Sequence, residues 1–250
     1  MVQDKVAIVT GGSRGIGAET AKLLAENGYA VCINYLRNDS AAQKIKDEIT
    51  TLGGHCITIK ADVSASEAVS RLFETVDRKL GTVSVLVNNA GILKQQCRLD
   101  EISEQRFTEV FQTNVMSCFL CTKEAIKRMS TKYGGSGGVI VNVSSGASKS
   151  GSPNEYVDYA ASKGAIDSLT RGVALEVAAE GIRVNAVRPG LIYTEMHASG
   201  GEPNRVQRLE SKIPLQRGGK PKEVAQAILW LATEKSSFVT GSFVDPAGGL

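Results

Sequence analysis

The stretch VAIVTGGSRGIGAETAKLL, residues 6–24, decides the fold. Its β-branched apolar start predicts a strand, and its glycines predict a tight turn. Ile16, Thr20, Leu23 and Leu24 then recur at helical spacing. The chain is therefore predicted to run from a strand, through a glycine turn, into an amphipathic helix.

Three glycines in this turn, Gly11, Gly15 and Gly17, form a G-x-x-x-G-x-G pattern. They allow a sharp exit from the strand, close backbone approach to a phosphate, and close packing of the helix on the sheet. Free N–H groups at the helix start add partial positive charge, so the turn suits a bound phosphate. Such a triplet can also be only a turn, but the flanking strand and helix favour the phosphate site.

Similar strand-like runs recur along the chain, with helix-period segments between them. The runs are AVCINY from 30, CITIK from 56, VSVLVNN from 83, GVIVNVS from 138, IRVNAV from 182 and SFVD from 242. Near-continuous apolar strands that alternate with helices indicate a parallel sheet covered on both faces. We therefore predict one doubly wound α/β sheet of about seven strands.

Length and composition fit one folded domain over residues 1–250. The chain is 42% hydrophobic, and its formal charge of +3 comes from 29 basic and 26 acidic residues. This balance lacks the basic footprint of a protein that binds nucleic acid or an anionic membrane. YGGSGG at 133–138 is interpreted as a helix-to-strand turn. Residues from about 192 to 220 form a polar excursion, placed where such sheets bind ligands.

Cysteine and histidine usage argues against a metal site or a disulfide framework. The five cysteines are scattered, and Cys118 and Cys121 lie in MSCFLCTKEAI, which predicts a buried helix face. His55 and His197 lack the pattern of a Ser-His-Asp hydrolase. Neither export nor membrane insertion is signalled at the start of the chain, so we expect a cytoplasmic protein with reduced thiols and no bound metal.

The end of the second strand indicates which dinucleotide the chain binds. A free ribose 2′-hydroxyl calls for an acid about twenty residues after the glycines, whereas residues 34–37 read NYLR. Arg37 and Arg14 would suit a 2′-phosphate, which favours NADP over NAD. Asp39 would serve NAD if the strand ended later, and both arginines could instead be ordinary surface residues.

The stretch NEYVDYAASK, residues 154–163, offers an acid–base pair. Tyr159 and Lys163 are four residues apart, so on a helix they share a face with Cβ atoms about 5–6 Å apart. Tyr156 is two turns from Lys163. A phenol with an ordinary pKa near 10 exchanges protons slowly at neutral pH. Lys163, the positive charge of a nicotinamide and hydrogen bonding are together expected to lower the pKa of Tyr159 by about two to three pH units. Most isolated Tyr–Lys pairs are solvated surface, so the surrounding motifs decide.

Those motifs stand in one order along the chain. They are TGGSRGIG (10–17), ADV (61–63), NNAG (88–91), Asn114, NVSS (142–145), YAASK (159–163) and RPGLIYT (188–194). Together they resemble the short-chain dehydrogenase/reductase family over essentially the whole chain. YAASKGAIDSLT and GIRVN are similar to stretches of its bacterial sugar dehydrogenases and ketoacyl reductases. The resemblance implies a single Rossmann-like domain, a nicotinamide cofactor and a homotetramer, or failing that a dimer.

The same resemblance implies a catalytic tetrad of Asn114, Ser145, Tyr159 and Lys163. Tyr159 would be the general acid/base, Ser145 would hydrogen-bond the substrate oxygen, and Asn114 would hold a water that links Lys163 to solvent. Ser144 is the alternative to Ser145, because adjacent residues at a strand exit point to opposite sides. The spacing from Ser145 to Tyr159 is one residue longer than is common in the family, which predicts a bulge in KSGSPNEYV.

Residues that would hold the cofactor also follow from the resemblance. They are Gly11, Ser13, Arg14, Gly15, Ile16, Gly17 and Arg37 at the phosphate end, Asp62 and Val63 at the adenine, Asn89, Ala90 and Gly91 along the ribose, and Tyr159, Lys163, Pro189, Gly190, Ile192 and Thr194 around the nicotinamide. Asp62 has an alternative role as the cap of the following helix, for which Ser64 is better placed.

The expected function is NADP(H)-dependent transfer of hydride between nicotinamide and a small alcohol or carbonyl compound. The substrate could be sugar-like, a ketone or a secondary alcohol. The alternative is a catalytically silent nucleotide-binding regulatory module, against which the complete tetrad argues. One departure is the tail DPAGGL, where family members often have DGG. The resemblance places this tail near a subunit interface.

Overall fold

The computed structural model describes residues 5–250 and contains seven β-strands. They are β1 (Lys5–Val9), β2 (Tyr29–Tyr35), β3 (Cys56–Lys60), β4 (Val83–Asn88), β5 (Gly138–Val143), β6 (Ile182–Val187) and β7 (Phe243–Val244). They form one sheet in the order β3-β2-β1-β4-β5-β6-β7, and every neighbouring pair is parallel. The predicted doubly wound sheet of about seven strands is confirmed.

Helices connect successive strands. They are α1 (Gly15–Glu26), α2 (Asp39–Thr51), α3 (Ser66–Lys79), α4 (Glu104–Phe111), α5 (Ser117–Met129), α6 (Ala147–Ser150), α7 (Val157–Val177), α8 (Met196–Ser199), α9 (Arg205–Leu209) and α10 (Pro221–Ala232). A π-helical segment, Gln112–Met116, joins α4 to α5. The chain therefore alternates between strand and helix, as the periodicity predicts.

Two apolar cores lie on opposite faces of the sheet, because successive strand side chains point to opposite sides. Val9 belongs to the core that α1, α2 and α10 cover. Its neighbour Ile8 belongs to the core under α3, α5 and α7. Phe73 of α3 is fully buried in this second core. The apolar stripes that helical spacing predicts in the sequence thus cover both faces of the sheet.

The order of strands reverses at β1, which pairs with β2 on one side and β4 on the other. Val9, the last residue of β1, is in register with Ile33 of β2 and Val87 of β4. The glycine turn and the NNAG stretch therefore leave the sheet side by side. Open α/β sheets bind ligands in the crevice at such a reversal.

A buried amide chain joins β4 and β5 beneath this crevice. Asn88 and Asn142 are register partners, and Asn88 Nδ2 donates to Asn142 Oδ1 over 2.9 Å. Asn88 Nδ2 also donates to Thr122 of α5, and Asn142 Nδ2 donates to Thr170 of α7 over 2.8 Å. These bonds fix two strands and two helices relative to one another, because buried polar groups are costly when unpaired.

The polar excursion is closed at its base. Ile192 and Gly219 form an isolated parallel bridge, and α8 and α9 lie between them. Gly219 allows this approach, because a Cβ there would lie 2.5 Å from Ile192 Cδ1. The excursion is therefore a loop with fixed ends.

All five cysteines are free thiols. Cys118 and Cys121 are buried as predicted, and burial raises the pKa of Cys118 to about 12. These thiols pack rather than react. Within residues 5–250, no helix has both the length and the apolar character needed to cross a bilayer.

Replacing Asn142 with Ala should lower the free energy of unfolding by about 1–3 kcal/mol, because partners of the amide chain lose their bonds in a buried place. Urea denaturation measures the change. Asn204→Ala is the control, because Asn204 is exposed and makes no side-chain cap. Its effect should stay below about 0.5 kcal/mol. Equal losses of unfolding free energy in the two variants would contradict a stabilising role for the buried amide chain.

Candidate active site

The glycine turn has the geometry of an anion cradle. Gly11 and Gly15 have φ of +60° and +53°, a region that disfavours side chains. A Cβ on Gly17 would lie 2.5 Å from both Asn89 Nδ2 and the Gly11 carbonyl oxygen, so only glycine packs here. Arg14, the N-cap of α1, makes no side-chain capping bond. The first N–H groups of the helix remain available, which fits the phosphates of a dinucleotide.

Thr10 ties the NNAG stretch to this turn. Its hydroxyl accepts from the N–H groups of Asn89 and Ala90 over 2.9 and 3.0 Å, and donates to the Val87 carbonyl over 3.3 Å. Asn89 Nδ2 in turn donates to the carbonyls of Thr10 and Gly11. Sequence reasoning missed Thr10, although a hydroxyl at the end of a strand before a glycine turn was an available signal.

At the end of β2, an arginine is in place but no acid is free. Arg37 follows the strand, is exposed, and has no ion-pair partner among residues 5–250. Asp39 begins α2 instead of ending β2, and it accepts from Tyr35 Oη over 2.8 Å and from Lys60 Nζ over 3.1 Å. The later strand end that would favour NAD is therefore not observed. Arg14 Nη1 lies 3.1 Å from Glu195 Oε2, so a phosphate would compete with this carboxylate.

The end of β3 places Asp62 exposed and Val63 buried. Asp62 Oδ1 accepts from the N–H and the hydroxyl of Ser64 over 2.9 and 2.7 Å. The N-cap of α3 is Ala65, which makes no side-chain cap. The idea that Asp62 or Ser64 caps this helix was wrong, because Asp62 closes a turn two residues earlier.

The structure distinguishes the two adjacent serines after β5. The Ser145 hydroxyl faces the Tyr159 phenol closely enough to lower its pKa, and it accepts from the Ala147 N–H over 3.1 Å. Ser144 is buried, and its hydroxyl donates to the Lys163 carbonyl over 3.3 Å. The two side chains point apart, as alternation at a strand end requires.

Extra chain between Ser145 and Tyr159 is taken up in tight turns. After α6, Ser152 and Asn154 adopt φ of 45° and 60°, values unusual for residues with a side chain. This strained segment lies within KSGSPNEYV, where the spacing predicts a bulge. It delivers Tyr156 and Tyr159 to the first turns of α7.

Lys163 is buried beside Tyr159, one helical turn away. Its Nζ donates to the Val143 carbonyl over 2.8 Å and lies 5.5 Å from the centre of the Tyr159 ring. Burial lowers the pKa of Lys163 to about 8, although the charges of Cys118 and Asp167 act in the opposite direction. The amine points into the site and not into bulk solvent.

Burial raises the pKa of Tyr159 to about 12, and the hydrogen bond from Ser145 offsets only part of this rise. Desolvation penalises the phenolate more than the neighbouring protein groups stabilise it. Tyr159 therefore keeps its proton at neutral pH. The expected lowering of this pKa, to which the positive charge of a bound nicotinamide contributes, stays a prediction.

Asn114 lies fully buried in the π-helical segment. Its Oδ1 accepts from the Ile92 N–H over 2.8 Å, and its Nδ2 donates to the Ile92 carbonyl and to Ser162 Oγ. Ser162 donates onward to the Tyr159 carbonyl over 2.7 Å. The Asn114 side chain is thus committed to protein partners, and the expected water at Asn114 stays a prediction. Sequence reasoning missed Ser162, although it is a hydroxyl within the YAASK motif.

The loop after β6 brings its predicted residues against the rest of the site. A Cβ on Gly190 would lie 2.8 Å from Ala247 Cα, so the C-terminal tail packs directly on this loop. Ile192 is buried. Thr194 lies beside Gly15, where an added Cβ would meet Thr194 Cγ2 at 3.5 Å.

A cavity of about 670 Å³ gathers nine of the twenty predicted site residues. They are Ile16, Asn89, Ser145, Tyr159, Lys163, Pro189, Gly190, Ile192 and Thr194. The other eleven lie outside its lining, namely Gly11, Ser13, Arg14, Gly15, Gly17, Arg37, Asp62, Val63, Ala90, Gly91 and Asn114. Within residues 5–250, no three metal-ligating side chains are grouped to hold an ion. The cavity can position a proton donor, a cation and a substrate oxygen beside a dinucleotide cradle.

Comparison with known proteins agrees with this geometry. The family whose sequence model is described as Enoyl-(Acyl carrier protein) reductase matches residues 11–250. Crystallographic coordinates of a short-chain type dehydrogenase/reductase from Mycobacterium marinum superpose with a TM-score of 0.90 at 34% identity, covering 98% of this chain and 94% of that one. The chain belongs to the short-chain dehydrogenase/reductase family. It is therefore an oxidoreductase by family.

Two relatives within the short-chain dehydrogenase/reductase family show how far the similarity extends. The chain is 59% identical over 244 residues to the uncharacterized oxidoreductase YgfF of Escherichia coli K12, which covers 98% of this chain and 99% of YgfF. It is 36% identical over 247 residues to the 3-oxoacyl-[acyl-carrier-protein] reductase FabG of Staphylococcus epidermidis, with 99% of each chain covered. The predicted resemblance to ketoacyl reductases is confirmed.

Lys163→Met should raise the free energy of unfolding at pH 7 by about 1–2 kcal/mol. The lowered pKa corresponds to about 3 kcal/mol of burial cost, and the unpaired Val143 carbonyl returns part of it. The unfolded chain binds more protons than the native one between the folded pKa of about 8 and the ordinary 10.5, so wild-type stability contributed by Lys163 rises with pH across that window. The advantage of the variant should therefore shrink above pH 8 and be lost at about pH 9 to 9.5.

Urea denaturation of both proteins at several pH values checks this difference. Lys235→Met is the matched control, because Lys235 is exposed. A stability difference that does not vary with pH would contradict the assignment of a buried charge to Lys163.

Proposed function

We propose that this protein is an NADP(H)-dependent oxidoreductase that transfers hydride between nicotinamide and a small alcohol or carbonyl compound. The catalytic residues are Asn114, Ser145, Tyr159 and Lys163. The observation that carries the proposal is the meeting of Ser145, Tyr159 and Lys163 in one cavity that also reaches Asn89 and Ile16 of the nucleotide cradle. The glycine turn fits the phosphates of a dinucleotide, and the nicotinamide of that cofactor would supply the hydride.

Tyr159 acts as the general acid in carbonyl reduction. With a pKa of about 12 it is protonated at neutral pH, so it can donate to a substrate oxygen that gains negative charge. Ser145 hydrogen-bonds the same oxygen from its place beside the phenol. Lys163, with a pKa of about 8, is mainly cationic at neutral pH and stabilises the phenolate that remains.

Proton return runs through Lys163 toward the π-helical segment. A Cβ added to Gly91 would lie 3.7 Å from Lys163 Nζ and 3.3 Å from Asn114 Oδ1. The Lys163 amine and the Asn114 amide therefore both lie next to Gly91. Because both Asn114 Nδ2 donors and one lone pair of Oδ1 are bonded to Ile92 and Ser162, we assign the water contact to its backbone carbonyl. A π-helical segment disturbs the regular carbonyl bonding of a helix, and such segments are frequent at functional sites.

The preference for NADP rests on the end of β2. Arg37 is exposed and unpaired among residues 5–250, and the nearby acid Asp39 is held by Tyr35 and Lys60. A guanidinium pairs well with a phosphate and poorly with a neutral hydroxyl. Arg14 joins this site when it leaves Glu195. NAD remains the weaker ligand.

Further aspects of the proposal concern the whole protein. The excursion at about 192–220 acts as the substrate loop of the domain at 1–250, and the protein works in the cytoplasm as a homotetramer. Exposed aromatic residues support assembly, since Phe107, Phe119 and Phe238 all face outward. A monomer in sedimentation at micromolar concentration would contradict this assembly.

Tyr159→Phe should lower kcat for carbonyl reduction by about 10² to 10⁴, because the proton donor is lost while the ring is kept. Steady-state NADPH oxidation with a carbonyl panel measures it, and fluorescence titration should show NADPH binding within about twofold of the wild type. Tyr133→Phe is the control, because Tyr133 is 60% exposed. Unchanged turnover in Tyr159→Phe would remove this tyrosine from the mechanism. A wild-type protein that binds NADPH but reduces nothing would favour the silent regulatory module.

Arg37→Ser should weaken NADPH binding by about 10- to 100-fold, the range that loss of a charge-assisted hydrogen bond produces. NADH binding should change by less than about twofold. Fluorescence titration of each nucleotide separates the two effects, with Arg78→Ser, an exposed arginine on α3, as the control. Wild-type protein that binds NADH more tightly than NADPH would overturn the cofactor assignment.

A further inference from the structure

An apolar wall surrounds the Tyr159 side chain on the substrate side of the cavity. Leu93, Tyr156 and Tyr159 form a cluster of their own, separate from both cores of the sheet, and Ala147 and Met196 pack against it. All five residues line the cavity. We call this cluster the apolar wall. It covers the place where the groups beside a reacting carbon would lie.

Two cations near the apolar wall, Arg205 and Lys149, pair with carboxylates, whereas Lys212 lines the cavity without an ion-pair partner among residues 5–250. Arg205 Nη1 and Nη2 donate to the two oxygens of Glu155 over 3.0 and 2.5 Å. Lys149 Nζ lies 3.0 Å from Asp245 Oδ2. The guanidinium of Arg205 also lies over the Tyr156 ring, 5.3 Å from its centre. These ions are therefore held by protein partners instead of being offered to a ligand.

Two polar side chains beside the apolar wall each bond a backbone carbonyl. The Tyr156 hydroxyl donates to the Gly200 carbonyl over 3.3 Å. His197 Nε2 lies 3.0 Å from the Ile192 carbonyl, and burial lowers the pKa of this imidazole. His197 Nδ1 is buried and has no hydrogen-bond partner among residues 5–250. Ser145 is committed to the reacting oxygen. Hydroxyl groups placed against the apolar wall would lose their water partners without gaining equivalent ones, which disfavours a polyhydroxy ligand on this side of the cavity.

The excursion fixes the shape of the apolar wall from above. A Cβ on Gly200 would lie 2.8 Å from Leu93 Cδ2 and 3.1 Å from the Tyr156 hydroxyl. The backbone after α8 therefore rests directly on two residues of the wall. Met196, at the start of α8, has a flexible thioether side chain that adapts to ligands of different outline.

We propose that the substrate is a carbonyl compound, or the matching alcohol, whose reacting carbon carries an unsubstituted alkyl or aryl group that packs on Leu93, Tyr156 and Met196. The same wall disfavours the hydroxyl groups of a polyhydroxy sugar. This inference rests on the proposed oxidoreductase function and narrows its substrate class. Leu93 and Met196 are the specificity-determining residues, and neither takes part in proton transfer.

The first test compares two ketone series with purified protein and NADPH. Straight-chain methyl ketones from 2-butanone to 2-octanone should show kcat/KM rising about threefold to fourfold for each methylene that the wall buries. Polyhydroxy ketones of four to six carbons should be at least about tenfold poorer than methyl ketones of equal length. Equal or better turnover of the polyhydroxy series would overturn the inference and leave the oxidoreductase proposal intact.

A second test places a polar group in the wall. Leu93→Asn keeps the size of the side chain but should lower kcat/KM for 2-octanone by about tenfold, mainly through KM. The loss for 2-butanone should be smaller, because its shorter chain contacts less of the wall. Leu52→Asn makes the same change at a residue that is 77% exposed at the C-terminal end of α2, and should alter neither value. A loss of kcat for both ketones in Leu93→Asn, with KM unchanged, would contradict a role in specificity.

A binding measurement separates the two proposals. In the presence of NADP⁺, which cannot reduce a ketone, 2-octanone should raise the Tm of the wild-type protein, and this rise should be reduced in Leu93→Asn. If the rise occurs without turnover in the presence of NADPH, the apolar site stands and the reductase proposal fails. If 2-octanone gives no rise, or a polyhydroxy ketone gives a larger one, the inference is wrong.

Discussion

The burial of one ammonium group is the constraint on which the site depends. Lys163 is held inside the protein by the Val143 carbonyl, and burial depresses its pKa to about 8. A charge in this position destabilises the folded chain, so the surrounding fold must supply the difference. It does so with a continuous apolar sheet, an amide chain between β4 and β5, and a long helix that carries Tyr159 and Lys163 together. Stabilising interactions elsewhere in the fold thus offset the cost of burying Lys163, whose role lies in the reaction.

Every part of the site lies at the carboxyl edge of one parallel sheet. The turn after β1 supplies the cradle, the turn after β4 supplies Asn89, and the exit from β5 supplies Ser145. Thr10 couples the first two turns through paired backbone bonds. Because the strands are parallel, residues distant in sequence meet at this edge without long side chains having to reach for one another. Small residues at strand ends therefore suffice to hold a large ligand.

Sequence alone was sufficient wherever the information was local. Near-continuous apolar runs separated by helical segments predicted all seven strands. The four-residue spacing placed Tyr159 and Lys163 on one face of α7. Sequence was insufficient where a property depended on how deeply a group is buried in the fold. The pKa of Tyr159 moves upward because desolvation exceeds the effect of its neighbours, and burial at that depth cannot be read from spacing. Thr10, Ser162 and the commitments of the Asn114 side chain were likewise missed, because each bond joins segments that meet only in the folded chain.

The bridge between Ile192 and Gly219 has a consequence for divergence among relatives. Since the two ends of the excursion are clasped together, the chain between them can be lengthened, shortened or exchanged at small entropic cost and without displacing the strands. Natural variation in this segment would reshape the side of the cavity that covers the substrate, while Ser145, Tyr159 and Lys163 stay in place. Ligand preference and chemical mechanism can thus change independently within a single scaffold.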